Sequence, residues 1–144
     1  MCGICGQISF EHDPNPVLVS KMNEALTHRG PDSAGVFSDD QVSLAMRRLK
    51  IVDLEHGDQP LKTPDQKLIL FFNGEIYNHI ELRNELSGVN FQTQSDGEPI
   101  LFLYQKEGIN FLKKLRGMYA LVLYDLTNQK VIIARDRLSE KPLY

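Results

Sequence analysis

The 144-residue chain opens MCGICG, and Cys2 and Cys5 are its only cysteines. Sulfur placed this way can form a redox or metal-binding C-x-x-C, act as a nucleophile at a processed N-terminus, or fill space in a core. A structural zinc site needs four ligands. There is no second cysteine pair, and the histidines at 12, 28, 56 and 79 show no H-x₃₋₅-H spacing. A thioredoxin-like site needs a strand before the motif and a helix after it, whereas here a strand follows. If residues 2 to 10 are extended, side chains three apart leave opposite faces of the strand, so the two sulfurs do not pair. Cys5 then reads as a small buried residue. Cys2 differs by position. A small residue behind an initiator methionine generally permits that methionine's removal, so the mature chain is expected to begin at Cys2. Its α-amine (pKa about 7.7–8.0) would then lie beside its own thiol (about 8.5). One residue would supply nucleophile and general base together.

Other residues could serve the same chemistry. Arg48 falls on the parity of Val42, Leu44 and Met46 in an alternating stretch. An arginine on an apolar face calls for an anionic partner or an open pocket, and a guanidinium fork suits a carboxylate. Asn73-Gly74 follows an apolar run and by itself reads as a turn dipeptide. Asp96 stands where a helix begins, a place the helix dipole favours for an acid.

The elements that must carry these residues are short. GICGQISF, residues 3–10, reads as a strand. The stretch NPVLVSKMNEALTHRG reads as a helix capped by Asn15, with Pro16 first, Leu18, Met22 and Ala25 on one face, and Gly30 after its end. AGVF and QVSLAMRRLKI read as two strands joined at Asp39-Asp40. KLILFF is a continuous apolar run, hence a buried strand ending at Asn73-Gly74. A short helix with Leu82 and Leu86 follows Asn78. Ser95-x-x-Glu98 has the capping-box pattern before a helix showing Ile100 and Tyr104. MYALVLYD and KVIIARD form a hairpin around Asn128. Helices in separate pieces between hairpins point to an α+β fold of antiparallel sheet with packed helices rather than a doubly wound parallel sheet.

Hydrophobic residues are 42% and charged residues 24%, with a formal charge of -3, which describes a globular domain with no basic face for nucleic acid. No apolar run reaches the length of a membrane span, and no charged n-region with an apolar h-region opens the chain. A reducing cytoplasm is the expected location, where a structural disulfide is not.

The opening MCGI, HRGPDSAG (28–35), RLKIVD (48–53), FNGEIYNH (72–79), SDGEPIL (95–101) and the closing ARDRLSEKPLY together resemble the class II glutamine amidotransferase domain. Within that family they are most similar to the glutaminase domain of glutamine-hydrolysing asparagine synthetases. The resemblance covers residues 1–144 as one glutaminase domain. It implies an N-terminal-nucleophile hydrolase fold, two antiparallel β-sheets between helical layers (αββα). It also implies hydrolysis of L-glutamine to glutamate and ammonia through a γ-glutamyl thioester on Cys2. By the same resemblance Asn73 and Gly74 stabilise the oxyanion, and Arg48 takes the α-carboxylate. Asp96 takes the α-ammonium with help from Glu75, Leu49 and Val52 belong to the substrate wall, and Arg29 braces the loop over the cysteine. His28 is expected to be a packed or partly exposed residue. No metal and no cofactor is expected in this domain.

Two positions depart from the family pattern. Lys50 stands where serine is common; on an extended strand it would share a face with Arg48 and bring a second cation toward the carboxylate pocket. Ser139 replaces a glycine common in the closing motif, which matters if that position has positive φ. The Ser-Gly-Gly-x-Asp-Ser loop of the family's synthetase half does not occur. ATP and magnesium are therefore expected only with a missing or separate synthetase domain. Open alternatives are a non-aspartate acceptor for the ammonia and a catalytically silent regulatory domain of the same fold. A homodimer is also left open.

Overall fold

The computed structural model describes residues 2–9 and 11–144. Two antiparallel sheets lie face to face. The first has the order β1-β3-β2, from β1 (Gly3–Ile8), β2 (Ser33–Ser38) and β3 (Val42–Arg48). The second has the order β4-β5-β6-β7, from β4 (Leu61–Lys62), β5 (Leu68–Ile76), β6 (Gly117–Asp125) and β7 (Lys130–Arg135). Helix α1 (Pro16–Ala25) covers the first sheet. Helices α2 (His79–Glu85) and α3 (Glu98–Glu107), with a 3-10 segment at Gly108–Lys113, cover the second.

Alternation along the strands sorts the side chains into these layers. Val42, Leu44 and Met46 of β3 meet Ile69, Phe71, Val122 and Tyr124 between the sheets. The intervening residues Leu70, Phe72, Leu121 and Leu123 turn outward and bury Leu101, Leu103, Phe111 and Leu115 from the helical layer. This is the αββα arrangement expected from the sequence.

Four local expectations are corrected. First, α1 has the expected Asn15 cap, whose side chain accepts from the Leu18 N–H, and Pro16 at its start. Its buried row, however, is Val19 and Asn23, while Leu18, Met22 and Ala25 are exposed. Val17, Leu18 and Val19 are consecutive, so the apolar pattern alone did not choose between neighbouring faces. The choice was made by β1, where Cys5 Sγ reaches Val19 O and a Cβ on Gly3 would already touch Leu26 at 3.3 Å.

Second, β5 does not end at Asn73-Gly74. It runs on to Ile76, with Gly74 opposite Tyr119 of β6. Only glycine fits there: its φ is +155° and a Cβ would lie 1.9 Å from Met118 O. Third, β3 stops at Arg48 instead of continuing toward Ile51. Fourth, the capping box does not form. Glu98 instead turns its carboxylate to the Gln92 and Thr93 N–H groups at 2.7 and 2.9 Å. The predicted first strand extended to Phe10, which lies outside the described residues, as does Met1.

Ser139 has φ +58°, a conformation that disfavours a side chain. Ser139→Gly is expected to stabilise the protein by about 1 kcal/mol, read as a higher denaturant midpoint at unchanged slope; an unchanged or lower midpoint would show that serine is not strained here.

Candidate active site

Cys2 lies just ahead of β1, on the face directed between the sheets, among residues packed against the inter-sheet core. Its sulfur is bracketed by one residue of the crossing chain: Leu49 N–H donates to Sγ at 3.4 Å, and Sγ lies 3.8 Å from Leu49 O. The Cys2 carbonyl accepts from Arg29 Nε at 3.1 Å. Cys5 faces the other way, toward Val19 of α1; it is half-buried rather than buried as expected, and desolvation pushes its thiol up from the ordinary value. Both cysteines are free. His28 is exposed, with Nδ1 3.0 Å from Ala25 O.

Cys2 opens onto a cleft that is also lined by Arg48, Leu49, Val52, Asn73, Gly74, Glu75 and Asp96. Asn73 is on the parity of Ile69 and Phe71, so its side chain projects toward the first sheet and the cysteine. The next donor follows from the edge of β5. Phe72 N–H is taken by Gln59 Oε1 at 2.6 Å, while Gln59 Nε2 donates to Phe72 O at 2.9 Å. Four residues further on, Ile76 N–H is taken by Asp96 Oδ2 at 2.7 Å. Backbone groups alternate sides along a strand. The N–H of Gly74 therefore faces the same side, into the cleft between those two side chains. Asn73 and Gly74 thus bring one side-chain amide and one backbone N–H to a single place.

Arg48 is 5% exposed. Its Nη1 pairs with Asp58 Oδ1 at 2.7 Å, and its Nη2 donates to Val52 O and Asp53 O at 2.7 and 2.8 Å. Gly57 lets this wrap close, since a Cβ would sit 2.5 Å from Nη2. Lys50 shares the Asp58 carboxylate with Arg48, so the expected second cation stands beside the guanidinium, although Lys50 is not among the cleft-lining residues. With β3 ended, its Nζ goes to Asp58 Oδ2 at 3.4 Å, and Asp58 is not among the cleft-lining residues.

On the opposite wall, Asp96 is buried and its carboxyl is raised, foremost by desolvation. The loop before it is held by Arg83, whose Nη2 donates to Thr93 O and Ser95 O at 3.0 and 2.7 Å, and by Glu98. A cation and an anion thus stand in one small cleft, as an amino acid's zwitterionic end requires. Among the described residues no group of three or more His, Cys, Asp or Glu is arranged to hold a metal, and no helix is long and apolar enough to cross a membrane.

Sequence reasoning missed Gln59, Met118 and Lys141, which also line the cleft. Lys141 is brought there by the closing segment, folded around Asp136. Met118 comes in as the β6 partner of Glu75, whereas Gln59 and Lys141 come from loops between or after strands, and no local spacing marks that these three meet.

The family model described as the glutamine amidotransferase domain matches residues 1–144. The chain belongs to the glutamine amidotransferase domain family. It is 42% identical to asparagine synthetase [glutamine-hydrolyzing] 1 of Bacillus subtilis over 152 residues, covering all of this chain and 24% of the relative. It is also 42% identical to asparagine synthetase B [glutamine-hydrolyzing] of Escherichia coli over 147 residues, covering all of this chain and 26% of that one. The chain therefore spans about a quarter of the length of these relatives. Among solved structures it resembles the glutamine phosphoribosylpyrophosphate (PRPP) amidotransferase of B. subtilis complexed with ADP and GMP. The TM-score is 0.71 at 23% identity, over 94% of this chain and 36% of that one. At that identity the likeness concerns the fold, and it agrees with the two-sheet sandwich described above.

Proposed function

We propose that this amidotransferase domain hydrolyses L-glutamine to glutamate and ammonia, with Cys2 as nucleophile. The observation that carries this reading is the convergence of the Cys2 sulfur, the Asn73-Gly74 donors, Arg48 and Asp96 on one cleft. Glutamine's α-carboxylate goes to Arg48 and its α-ammonium to Asp96, helped by Glu75. The side-chain amide then reaches Cys2.

The thiol adds to the amide carbon while its proton passes to the cysteine's own α-amine. The oxygen takes the negative charge between Asn73 and the Gly74 N–H. Such donors act where charge develops, so they lower the barrier rather than tighten ground-state binding. Collapse breaks the carbon–nitrogen bond, the amine returns the proton, and ammonia leaves a γ-glutamyl thioester. Water then cleaves the thioester to glutamate and restores the thiol. Leu49 N–H supports the charge on sulfur, and Arg29 holds the Cys2 carbonyl in place. The ammonia is supplied to an asparagine-synthetase-type amidation in a further domain, where ATP and magnesium would act; no cofactor is needed for hydrolysis here.

The test is ammonia release from glutamine by a chain whose intact mass shows that it begins at Cys2. Labelling with a glutamine-like diazo ketone accompanies it. Hydrolysis with the label on Cys2 is expected, with an acid limb of apparent pKa roughly 7–8 if the amine is near its reference value. A label on Cys5, or complete inactivity of the correctly processed chain, would overturn the reading.

A further inference from the structure

We propose that Asp53 fixes the spacing between the two arms of the cleft, Arg48 and Asp96, and thereby selects a ligand carrying both an α-carboxylate and an α-ammonium. The inference rests on the functional reading above and extends it to a residue that is not among those lining the cleft.

Asp53 is bonded to both arms. Its carbonyl accepts from Arg48 Nη2 at 2.8 Å and from Gly57 N–H at 3.1 Å, closing the loop around the guanidinium. Its Oδ1 accepts from His56 N–H at 3.0 Å within the same loop. Its Oδ2 crosses to the other wall and accepts from Gln94 N–H at 2.7 Å, 41 residues away in sequence. Gln94 is two residues before Asp96, in the segment that Arg83 and Glu98 hold from behind.

The backbone of Asp53 takes φ +51°, a conformation that non-glycine residues adopt at a cost and that clusters at functional sites. Its side chain is 6% exposed. The surrounding loop carries Ile51 and Leu54, 61% and 60% exposed, so apolar packing does not fix it. The Asp53–Gln94 bond ties the two walls directly, beside the indirect tie through β5, where Gln59 holds Phe72 and Asp96 holds Ile76. A ligand with only one of the two charged groups uses one wall and is indifferent to the spacing between them. A ligand with both must span it.

The experiment compares the wild-type chain with Asp53→Asn and Asp53→Ala. Kinetics on L-glutamine are combined with competitive inhibition by glutaramate, which lacks the ammonium, and by 4-aminobutanamide, which lacks the carboxylate. The asparagine variant keeps the shape of the side chain but can offer an acceptor to only one of the two N–H groups. Its KM for glutamine is expected to rise about tenfold with kcat within about twofold, and both inhibition constants are expected to stay within about twofold. An unchanged KM, a fall in kcat alone, or a parallel weakening of either half-ligand would overturn the role of Asp53. If the wild-type chain neither hydrolyses nor binds glutamine, as read by calorimetry, the functional reading fails and this inference with it.

Discussion

Replacing Cys2 by alanine is expected to cut glutamine turnover by at least about 10³-fold while leaving glutamine binding, measured by calorimetry, nearly unchanged. Arg48, Asp96 and the Asn73-Gly74 donors lie on walls built without the thiol, so the cleft persists when the sulfur goes. Cys5→Ala should remain active, since Cys5 faces α1 rather than the cleft. The neighbouring residues divide by what they hold. Asn73→Ala should lower kcat by about 10²–10³-fold with little change in KM, because its hydrogen bond strengthens only as the oxyanion forms. Arg48→Ala and Asp96→Ala should raise KM sharply, because they grip the end of glutamine away from the scissile bond. Burial raises the carboxyl of Asp96, so ammonium capture should weaken on acidification at a higher pH than an ordinary aspartate would give. The opposite pattern, with KM following Asn73 and kcat following Arg48, would mean that pocket and oxyanion hole have been exchanged.

The residues that touch substrate in this scheme were legible because they sit in contiguous motifs, and because strand parity is a local property. A period of two placed Cys2 and Cys5 on opposite faces and Arg48 on the inward face without knowledge of the partner strands. Parity alone also shows why Asn73 can face the cysteine. The helix was harder, since three consecutive apolar residues in α1 offer two neighbouring faces and only contact with β1 selects Val19 and Asn23. Asn73-Gly74 misled in another way. Its turn propensity is real, but pairing of β5 with β6 through Ile76 overrides it. The loops behind the motifs were not legible at all. Gln59 mimics a strand neighbour for Phe72, Glu98 folds back on Gln92 and Thr93, and Asp53 reaches Gln94. Each is a polar side chain satisfying a backbone N–H outside its own element, and no spacing in the sequence records such a choice.

Asp136→Ala is expected to destabilise the fold by about 3 kcal/mol or more, and to disturb the cleft as well. Oδ1 of this buried carboxylate accepts from the Leu138 and Glu140 N–H groups, both at 3.0 Å. Oδ2 accepts from Lys141 N–H at 3.0 Å and Tyr119 N–H at 3.2 Å. Hydrogen bonds to a charged group contribute about 1.5–3 kcal/mol each, and removing their shared acceptor leaves several donors unsatisfied at once. The closing segment should loosen and take Lys141 away from the cleft, so kcat/KM should fall even where the variant remains folded. The pH dependence has a definite sign. Burial works against the charge of Asp136, but the four N–H bonds prevail and hold its carboxyl below the usual range. Its folded-state pKa thus lies under the unfolded value of about 3.9. The stabilisation is therefore fully present above that value and is lost as pH falls through the folded pKa. Denaturant unfolding of wild type and Asp136→Asn should show the full gap at pH 7 and a narrowing gap below about pH 4. The asparagine variant keeps one acceptor but turns an NH₂ toward two N–H groups, so it should lose stability despite its matching shape. A gap that stays constant from pH 7 to pH 3 would place the effect in packing rather than in the charge held by these four bonds.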